Sequence, residues 1–460
     1  MGTTQASLMS CSRRQQRPLA VGLLVLVALV LASCAVTPRA DHAAADRIDR
    51  HVASEYVGGN TAVPAGQVLL TADAPSQAVA LRSELERLLG AHMLLADELV
   101  RATLRSDSAQ IAASQAAVDA NRQQLATDVA NVSGAAAAGA FGKAWEEHVQ
   151  ILVEYASALR DHESAALPRL RTGFSYAERH LGAALGQVVG GTVPLSAIAG
   201  AVAAHYSHLL GQADAFAAGR YDKAYAVQRD GFAHMLMIAD VLARGVAARK
   251  QLPTAELDAP RRQLQSALSH LLAEHMGLMV QTMRAANDRT PDLPAAGRVL
   301  DANTKDLAGA INALYGAPAG QRFLTIWADH VDGLVHYAGL AAAQSSAAKQ
   351  AETTKEIAAY APVLARFLAG ATGGKIPSVE LAGALTEHDQ DLRSQVDAYA
   401  AMHKTKAQQM ATHGYDHMFE LSQSLATAIG DAVAQRLPTG GVRTGGGGMA
   451  GRLPGAGSVR

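Results

Sequence analysis

Eight histidines recur in register along this sequence, and they are the residues best suited to chemistry. Each falls near the middle of a predicted helix, on an apolar stripe that should face a core. Imidazole is the commonest metal ligand in proteins, and it binds in its neutral form. A layer of such rings inside a helical bundle therefore predicts a metal site. The candidate ligands are His92, His148, His205 and His234 in the first half of the chain, and His275, His330, His388 and His417 in the second.

The separation of these histidines predicts how their helices are arranged. His92 and His148 are 56 residues apart, about two helices with their loops, so their helices should run in the same direction. His205 and His234 are 29 residues apart, one helix and a turn, so that pair should be antiparallel. Helices of similar length packed up and down place their middle residues at one depth. We therefore expect as many as four imidazoles in one buried or half-buried layer of each half.

The sequence leaves the ligand of this layer open. Sites rich in imidazole and lacking thiolates suit copper, zinc or iron, and two facing histidines could instead ligate one haem. A competing hypothesis needs no ligand: the rings would form a polar core layer that fixes helix register in a structural or partner-binding scaffold. In that case the ring nitrogens must be satisfied by one another or by water, because an unpaired buried polar group is costly.

Matched residues near the histidines extend the prediction. Asn121 and Asn303 lie on the stripe side of the second helix of each half, where an amide could orient an imidazole by accepting from its free N–H. A bond to helix backbone is the alternative for these amides. Met93 and Met276, which follow the first histidine of each half, are interpreted as core filling rather than as thioether ligands.

Two further features limit the function classes. The sequence has no Gly-rich phosphate loop, no nucleophile elbow and no His-Glu-x-x-His pair, which favours a binding or structural protein over an enzyme. It has 40 basic and 41 acidic residues, a formal net charge of −1. A chain with no basic excess lacks the electrostatic signature of nucleic-acid binding.

The elements that must position the histidines all read as helix. Ala, Leu, Gln, Arg and Glu dominate, aromatic residues make up 4% of the chain, and no segment alternates Val, Ile and Thr as a strand would. Apolar residues recur at helical spacing, and Gly and Pro interrupt them. The predicted helices of the first half are 74–105, 108–131, 139–162, 164–189, 195–217 and 221–248.

The second half of the chain repeats the first. "LLGAHM" from Leu88 returns as "LLAEHM" from Leu271, "GGTVP" from Gly190 as "GGKIP" from Gly373, and "GFAHM" as "GYDHM", at an offset of 182 or 183 residues. A long internal period of this kind indicates duplication of a structural unit. The predicted fold is all-α, a tandem duplication of a roughly six-helix up-and-down bundle. The predicted segments are a signal peptide at 1–33, a flexible tether at 34–72, bundles at 73–250 and 251–432, and a disordered Gly-rich tail at 433–460.

The beginning of the chain predicts its location. The basic stretch "SRRQQRP" is followed by the apolar "LAVGLLVLVALVLASC", a pattern typical of a secretory signal. Leu31-Ala32-Ser33-Cys34 resembles the lipobox of bacterial lipoproteins. In that family the chain is cut before the cysteine, which then carries lipid. The resemblance implies that lipid on Cys34 holds the protein on the outer face of the cell membrane.

Cleavage at this point would also change the composition. Cys11 would leave with the signal, and Cys34 would carry lipid, so neither of the two cysteines could form a disulfide. Removing Arg13, Arg14 and Arg17 from the 40 basic residues leaves 37 against 41 acidic ones. The mature protein must therefore be stabilised by its core rather than by cross-links.

The repeated unit carries a second resemblance. Its Trp-x-x-His segments, at Trp145 and Trp327, and its His-Met helices are similar to those of a group of secreted, all-helical actinobacterial proteins. The resemblance covers about 74–431. It implies a helical fold and an extracytoplasmic location, where an envelope protein is a candidate partner. It implies no chemistry.

Overall fold

The computed structural model describes residues 75–436 of the chain. Within that range it contains twelve α-helices, one short 3-10 helix and no strand, so the predicted all-α fold is confirmed. The predicted signal peptide, the tether with Cys34, and residues 437–460 of the predicted tail lie outside the described residues.

The helices follow the predicted pattern closely. The first six are α1 (Gln77–Leu104), α2 (Ser108–Ser133), α3 (Ala135–Arg160), α4 (Leu167–Val189), α5 (Leu195–Ala217) and α6 (Tyr221–Arg249). After the 3-10 helix Ala255–Asp258 come α7 (Pro260–Asp288), α8 (Leu293–Tyr315), α9 (Ala317–Ala342), α10 (Ala347–Ala371), α11 (Ser378–Ala400) and α12 (Lys404–Arg436).

Local backbone chemistry explains where the boundaries differ from the sequence prediction. Helix α3 begins at Ala135 rather than at 139, because Gly134 makes the break with φ +88° and the alanines after it join the helix. Helix α4 begins at Leu167 rather than at 164, with Pro168 in its first turn. Proline is favoured there because its missing N–H has no partner to lose. Helix α5 begins after Pro194, as the "GGTVP" signal predicts.

Each half of the fold is built around its first helix. Helix α1 packs against α2, α3, α5 and α6, and α7 packs in the same way against α8, α9, α11 and α12. A helix surrounded by others must be apolar on most sides, and Leu88, Leu89, Met93, Leu94 and Leu95 of α1 are all buried. The matching order and contacts of the two halves are consistent with a tandem duplication. We refer to α1–α6 as copy 1 and to α7–α12 as copy 2.

The two copies meet along their central helices. Helix α1 contacts α7, α6 packs against α8, and α12 packs against α2. The last helix of each copy thus packs against the second helix of the other copy, as expected of two similar units related by an approximate two-fold axis. The apolar core residues of both copies form one continuous cluster. At the crossing of α1 and α7, a methyl group on Gly277 would lie 2.6 Å from Leu94, so Leu94 occupies the space that this glycine leaves.

Charged side chains are also buried where the copies meet. The guanidinium of Arg229 in α6 donates two hydrogen bonds to Glu274 in α7, at 2.9 and 2.8 Å, and one to Asp306 in α8 at 2.9 Å. Burial alone would raise the pKa of Glu274, but the bonds from Arg229 and Asn303 and the nearby positive charge hold that pKa below its ordinary value. The contact between the copies is therefore both apolar and ionic.

Helix α6 is the one described helix that is long and apolar enough to cross a membrane. In its most apolar window 61% of the residues are buried inside the protein. Core helices of globular proteins commonly pass this length test, and α6 packs against α1, α5 and α8. We interpret α6 as a core helix.

Candidate metal centres

Three imidazole rings converge inside copy 1. They belong to His92 in α1, His148 in α3 and His205 in α5. Nε2 of His148 lies 3.2 Å from Nε2 of His92 and 3.4 Å from Nε2 of His205. One ligand nitrogen from each ring lies within 4.8 Å of the other two, and all three residues are buried. We refer to His92, His148 and His205 as the copy 1 triad.

The helix arrangement explains why these three residues meet. They come from alternate helices in chain order, and α1, α3 and α5 all contact one another. Each histidine lies close to the middle of its helix, so the rings reach the same depth, as the sequence predicts. Trp145, one turn before His148, places its ring 4.4 Å from that of His92. The tryptophan thus helps to fix the orientation of the triad.

The nitrogen spacing matches a metal site. Three nitrogens bound at about 2.0–2.1 Å to one tetrahedral or trigonal ion lie about 3.3–3.6 Å apart. Of the two short Nε2 distances of the copy 1 triad, 3.4 Å falls in this range and 3.2 Å lies just below it. Two histidines on opposite faces of a haem iron, each bonded at about 2 Å, would place their nitrogens about 4 Å apart, with the porphyrin between them. The spacing therefore favours a single ion over haem.

Hydrogen bonding between the rings cannot satisfy all three. A neutral imidazole has one N–H donor and one lone-pair acceptor, on different nitrogens. Nε2 of His148 faces two other Nε2 atoms, yet it can take part in only one hydrogen bond. At most one of the two close Nε2 contacts of His148 can therefore be a hydrogen bond. An ion that accepts all three lone pairs removes this conflict.

The electrostatic environment keeps the copy 1 rings in the form that binds metal. Burial, and then the neighbouring ring of the triad, hold the pKa of His92, of His148 and of His205 well below the ordinary value. The Nδ1 atoms of all three rings are buried with no hydrogen-bond partner in the described part of the chain. The low pKa values make the rings neutral, and a neutral imidazole has one unprotonated nitrogen that can bind a metal ion.

Copy 2 repeats this arrangement with His275 in α7, His330 in α9 and His388 in α11. One ligand nitrogen from each again lies within 4.8 Å of the other two, and all three residues are buried. The rings are set slightly wider, with centroids 5.4–6.0 Å apart, against 5.2–5.5 Å in copy 1. Trp327 packs on His275 at 4.7 Å, as Trp145 packs on His92. We refer to these three histidines as the copy 2 triad.

The fourth histidine of each copy lies outside its triad. Nε2 of His234 donates to the carbonyl oxygen of Ala201 at 2.8 Å, and Nε2 of His417 donates to that of Ala384 at 2.9 Å. These carbonyls lie one turn before His205 and His388. The expectation of four converging rings is therefore met by three. The fourth ring is less buried than the triad rings, and it bonds to the backbone of a neighbouring helix instead.

The two asparagines bond helix backbone close to the triads. Nδ2 of Asn121 donates to the carbonyl oxygen of Leu88 at 2.9 Å, and Nδ2 of Asn303 donates to that of Leu271 at 3.0 Å. Both carbonyls lie one turn before the first triad histidine. In each asparagine Oδ1 is buried without a partner among the described residues. Burial, and then the neighbouring His330, hold the pKa of His275 well below its ordinary value. Asn303 lies close to His275 and partly offsets this decrease.

Other residues near the triads have structural roles. Met93 and Met276 are fully buried, and each fills the space beside a glycine of the last helix of its copy. Both methionines therefore fill space in the core, as predicted. Glu147, which precedes His148, bonds the half-exposed His180 at 2.8 Å instead of the triad. Helical geometry explains this, because adjacent residues point about 100° apart.

One group beside the copy 2 triad is absent from the sequence prediction. Asp389 follows His388 and is 2% exposed, with Oδ1 3.1 Å from Nδ1 of His330. The contact does not have the geometry of a hydrogen bond, and both carboxylate oxygens of Asp389 are buried without a hydrogen-bond partner among the described residues. The equivalent position in copy 1 holds Tyr206, whose ring packs on His148 at 4.6 Å. The replacement of Tyr206 by an acidic residue at the equivalent position of copy 2 is the sequence feature that could have predicted this difference between the triads.

Comparison with known proteins identifies no relative with a similar site. The chain matches no protein-family description, no curated protein and no solved structure. The triads themselves define the chemistry: each is a buried set of three imidazoles close enough to hold a metal ion.

Proposed function

We propose that each triad binds one transition-metal ion, and that the protein captures, stores or delivers metal at the cell envelope. The observation that carries this proposal is the convergence of three buried imidazoles in both copies, and in copy 1 their close nitrogen contacts cannot all be hydrogen bonds. Copper, zinc and iron all accept such ligands. The described residues offer the triads no thiolate, which is consistent with the cysteine positions in the sequence.

The test of metal binding uses purified protein treated with a chelator and then refilled with Zn²⁺ or with Cu⁺. An ion that binds only the folded state adds about 2.7 kcal/mol to the free energy of unfolding at a free concentration 100 times its Kd. The melting temperature should fall on chelation and recover on refilling, with two ions bound per chain.

Variants assign this response to the triads. His148→Ala and His330→Ala should each leave one ion per chain, and the double variant should bind none. His234→Ala is the matched control, because its ring bonds a backbone carbonyl and lies outside the triad. It should keep both ions. The ligand-free scaffold predicts instead that the melting temperature of the wild type ignores chelators and added ions.

We also propose that lipid on Cys34 anchors the protein to the outer face of the membrane. The apolar run and the Leu31–Cys34 motif support this proposal. Both lie outside the described residues, so the support comes from the sequence alone. Cys34→Ala should leave the membrane fraction or accumulate uncleaved. Cys11→Ala, in the predicted signal peptide, should behave as wild type. Normal processing and membrane retention of Cys34→Ala would refute the anchor without affecting the metal proposal.

A further inference from the structure

The two triads differ in the charge beside their second histidine. In copy 1 the neutral ring of Tyr206 packs on His148. In copy 2 the carboxylate of Asp389, at the equivalent position, lies 3.1 Å from Nδ1 of His330. A tryptophan packs on the first histidine of each triad, and in copy 2 the ring of Tyr360 also stacks on His330 at 4.3 Å. Both centres therefore have aromatic neighbours, but only the copy 2 centre has a carboxylate beside a ligand among the described residues.

The surroundings of Asp389 indicate that it faces a positive charge. The residue is 2% exposed, and both of its carboxylate oxygens are buried without a hydrogen-bond partner in the described part of the chain. An unpaired buried carboxylate is strongly unfavourable. A cation bound at Nε2 of His330 would place positive charge directly across the ring from it. Carboxylates in this position orient metal-bound histidines and make them stronger ligands.

Copy 1 offers no such compensation. Within the described range no carboxylate pairs with a ring of its triad, and the rings of Trp145 and Tyr206 pack on it instead. The free energy of transferring an ion from water to a low-dielectric interior rises with the square of its charge, so a divalent ion costs about four times as much as a monovalent one. Cu⁺ is the monovalent transition ion that such neutral ligands can bind.

We propose that the two centres select their ions by charge, with Cu⁺ bound by the copy 1 triad and a divalent ion such as Zn²⁺ bound by the copy 2 triad. The inference rests on the proposed metal-binding function and adds the class of ion at each centre. Each ion binds in the oxidation state in which it is supplied, so no electron transfer is involved. Asp389 acts as a positioning residue, because it contacts a ligand and not the ion.

The test isolates each centre within the full chain. His330→Ala leaves the copy 1 triad intact, and His148→Ala leaves the copy 2 triad. Each variant is titrated with Zn²⁺ against a chelating dye, and with Cu⁺ under anaerobic conditions against a Cu⁺-specific chelator. The ratio of Zn²⁺ affinity to Cu⁺ affinity should be at least about tenfold higher at the copy 2 centre, the scale of effect that such supporting carboxylates have on metal affinity.

A second substitution assigns the difference to Asp389. In the His148→Ala background, Asp389→Asn should lower Zn²⁺ affinity by about 10–100-fold and lower Cu⁺ affinity by a smaller factor, because the monovalent ion is attracted less strongly by the carboxylate. A merely structural residue would weaken the binding of both ions equally. Tyr206→Phe in the His330→Ala background is the matched control, and it should change neither affinity. If Asp389→Asn fails to fold, the affinity ratios of the two single variants still decide the question.

The outcomes separate this inference from the function on which it rests. Equal affinity ratios at the two centres, or equal losses of both ions in Asp389→Asn, would overturn charge selection and leave metal binding intact. If neither Zn²⁺ nor Cu⁺ bound at either centre, the proposed function would be overturned as well.

Discussion

At the scale of single residues, the protein concentrates groups whose ionisation is altered by burial. Burial holds the pKa of the copy 1 triad imidazoles well below its ordinary value, and so the same burial that excludes water also preserves their lone pairs. Carboxylates respond in the opposite direction: burial raises the pKa of Glu86 to about 7, although Ser266 and Arg82 partly counteract it. Glu86 lies where the copies meet, and it accepts a bond from Ser266 at 2.6 Å.

The elevated pKa of Glu86 predicts a pH-dependent stability. The folded state retains the proton of Glu86 up to about pH 7, whereas the unfolded chain releases it near its ordinary pKa of 4.5. Its stabilising contribution is therefore complete below pH 4.5 and is lost as the pH rises through 7. Glu86→Gln cannot lose this proton, so its free energy of unfolding relative to wild type should rise between those pH values.

Urea unfolding at intervals across that pH range measures the effect. Glu380→Gln, a change at an exposed position of α11, should run parallel to wild type. A Glu86→Gln curve that also remains parallel to wild type would show that Glu86 ionises normally in the folded protein.

At the scale of helices, close packing depends on two matched glycines. A methyl group at Gly231 of α6 would lie 2.6 Å from Cε of Met93 and 3.1 Å from its Sδ, and a methyl group at Gly414 of α12 would also contact Met276. Both methionines are fully buried. The glycines therefore let the last helix of each copy approach the first, which carries a triad histidine.

This contact predicts that Gly231→Ala destabilises the protein. Overpacking a filled core costs about 1–3 kcal/mol, more than the helix propensity gained by replacing glycine. Gly139→Ala is the matched control, because Gly139 is exposed in α3 and has no neighbour within 4 Å of the added methyl. It should stabilise the protein by about 0.5–1 kcal/mol. Chemical denaturation would contradict the packing argument if both variants were stabilised equally.

The sequence predicts helices better than it predicts side-chain convergence. Apolar spacing and the Gly and Pro breaks place α5 at 195–217, and the offset of 182 or 183 relates the copies. Mid-helix position predicts a buried or half-buried His234, and the residue is 9% exposed. It does not predict the direction in which the ring points, because that depends on how α6 is rotated against α5. The spacing of apolar residues within one helix does not determine how that helix is rotated against its neighbour.

The same limit applies to Asp389. A carboxylate beside a core histidine resembles a solvated acid when it is read along one helix. Its contact with His330 arises from the packing of α11 against α9, which a single sequence does not display.

At the scale of the whole molecule, ionic contacts between the copies differ in burial. Arg229 bridges to Glu274 and Asp306, and the Glu274 side chain is 2% exposed. Arg298 and Asp222 also pair across the copies, but their side chains are 60% and 70% exposed. The two pairs make a direct comparison of ionic contacts within one interface.

Arg229→Ala should lower the free energy of unfolding by about 3 kcal/mol, because it leaves the buried carboxylate of Glu274 without its cation. Arg298→Ala should change it by no more than about 1 kcal/mol, since exposed pairs are screened by water and salt. Thermal and urea unfolding of both variants provide the comparison. Similar small losses would show that the interface is held together by its apolar contacts alone.

The central claim is that three imidazoles in each copy share one metal ion. The most direct measurement is anomalous diffraction from crystals grown with Zn²⁺ and, separately, with Cu⁺ under anaerobic conditions. We expect a peak in each triad with at least one of these ions, about 2.0–2.1 Å from the three converging nitrogens. Peaks confined to surface groups such as His180 and Glu147, with both triads unaltered, would contradict it.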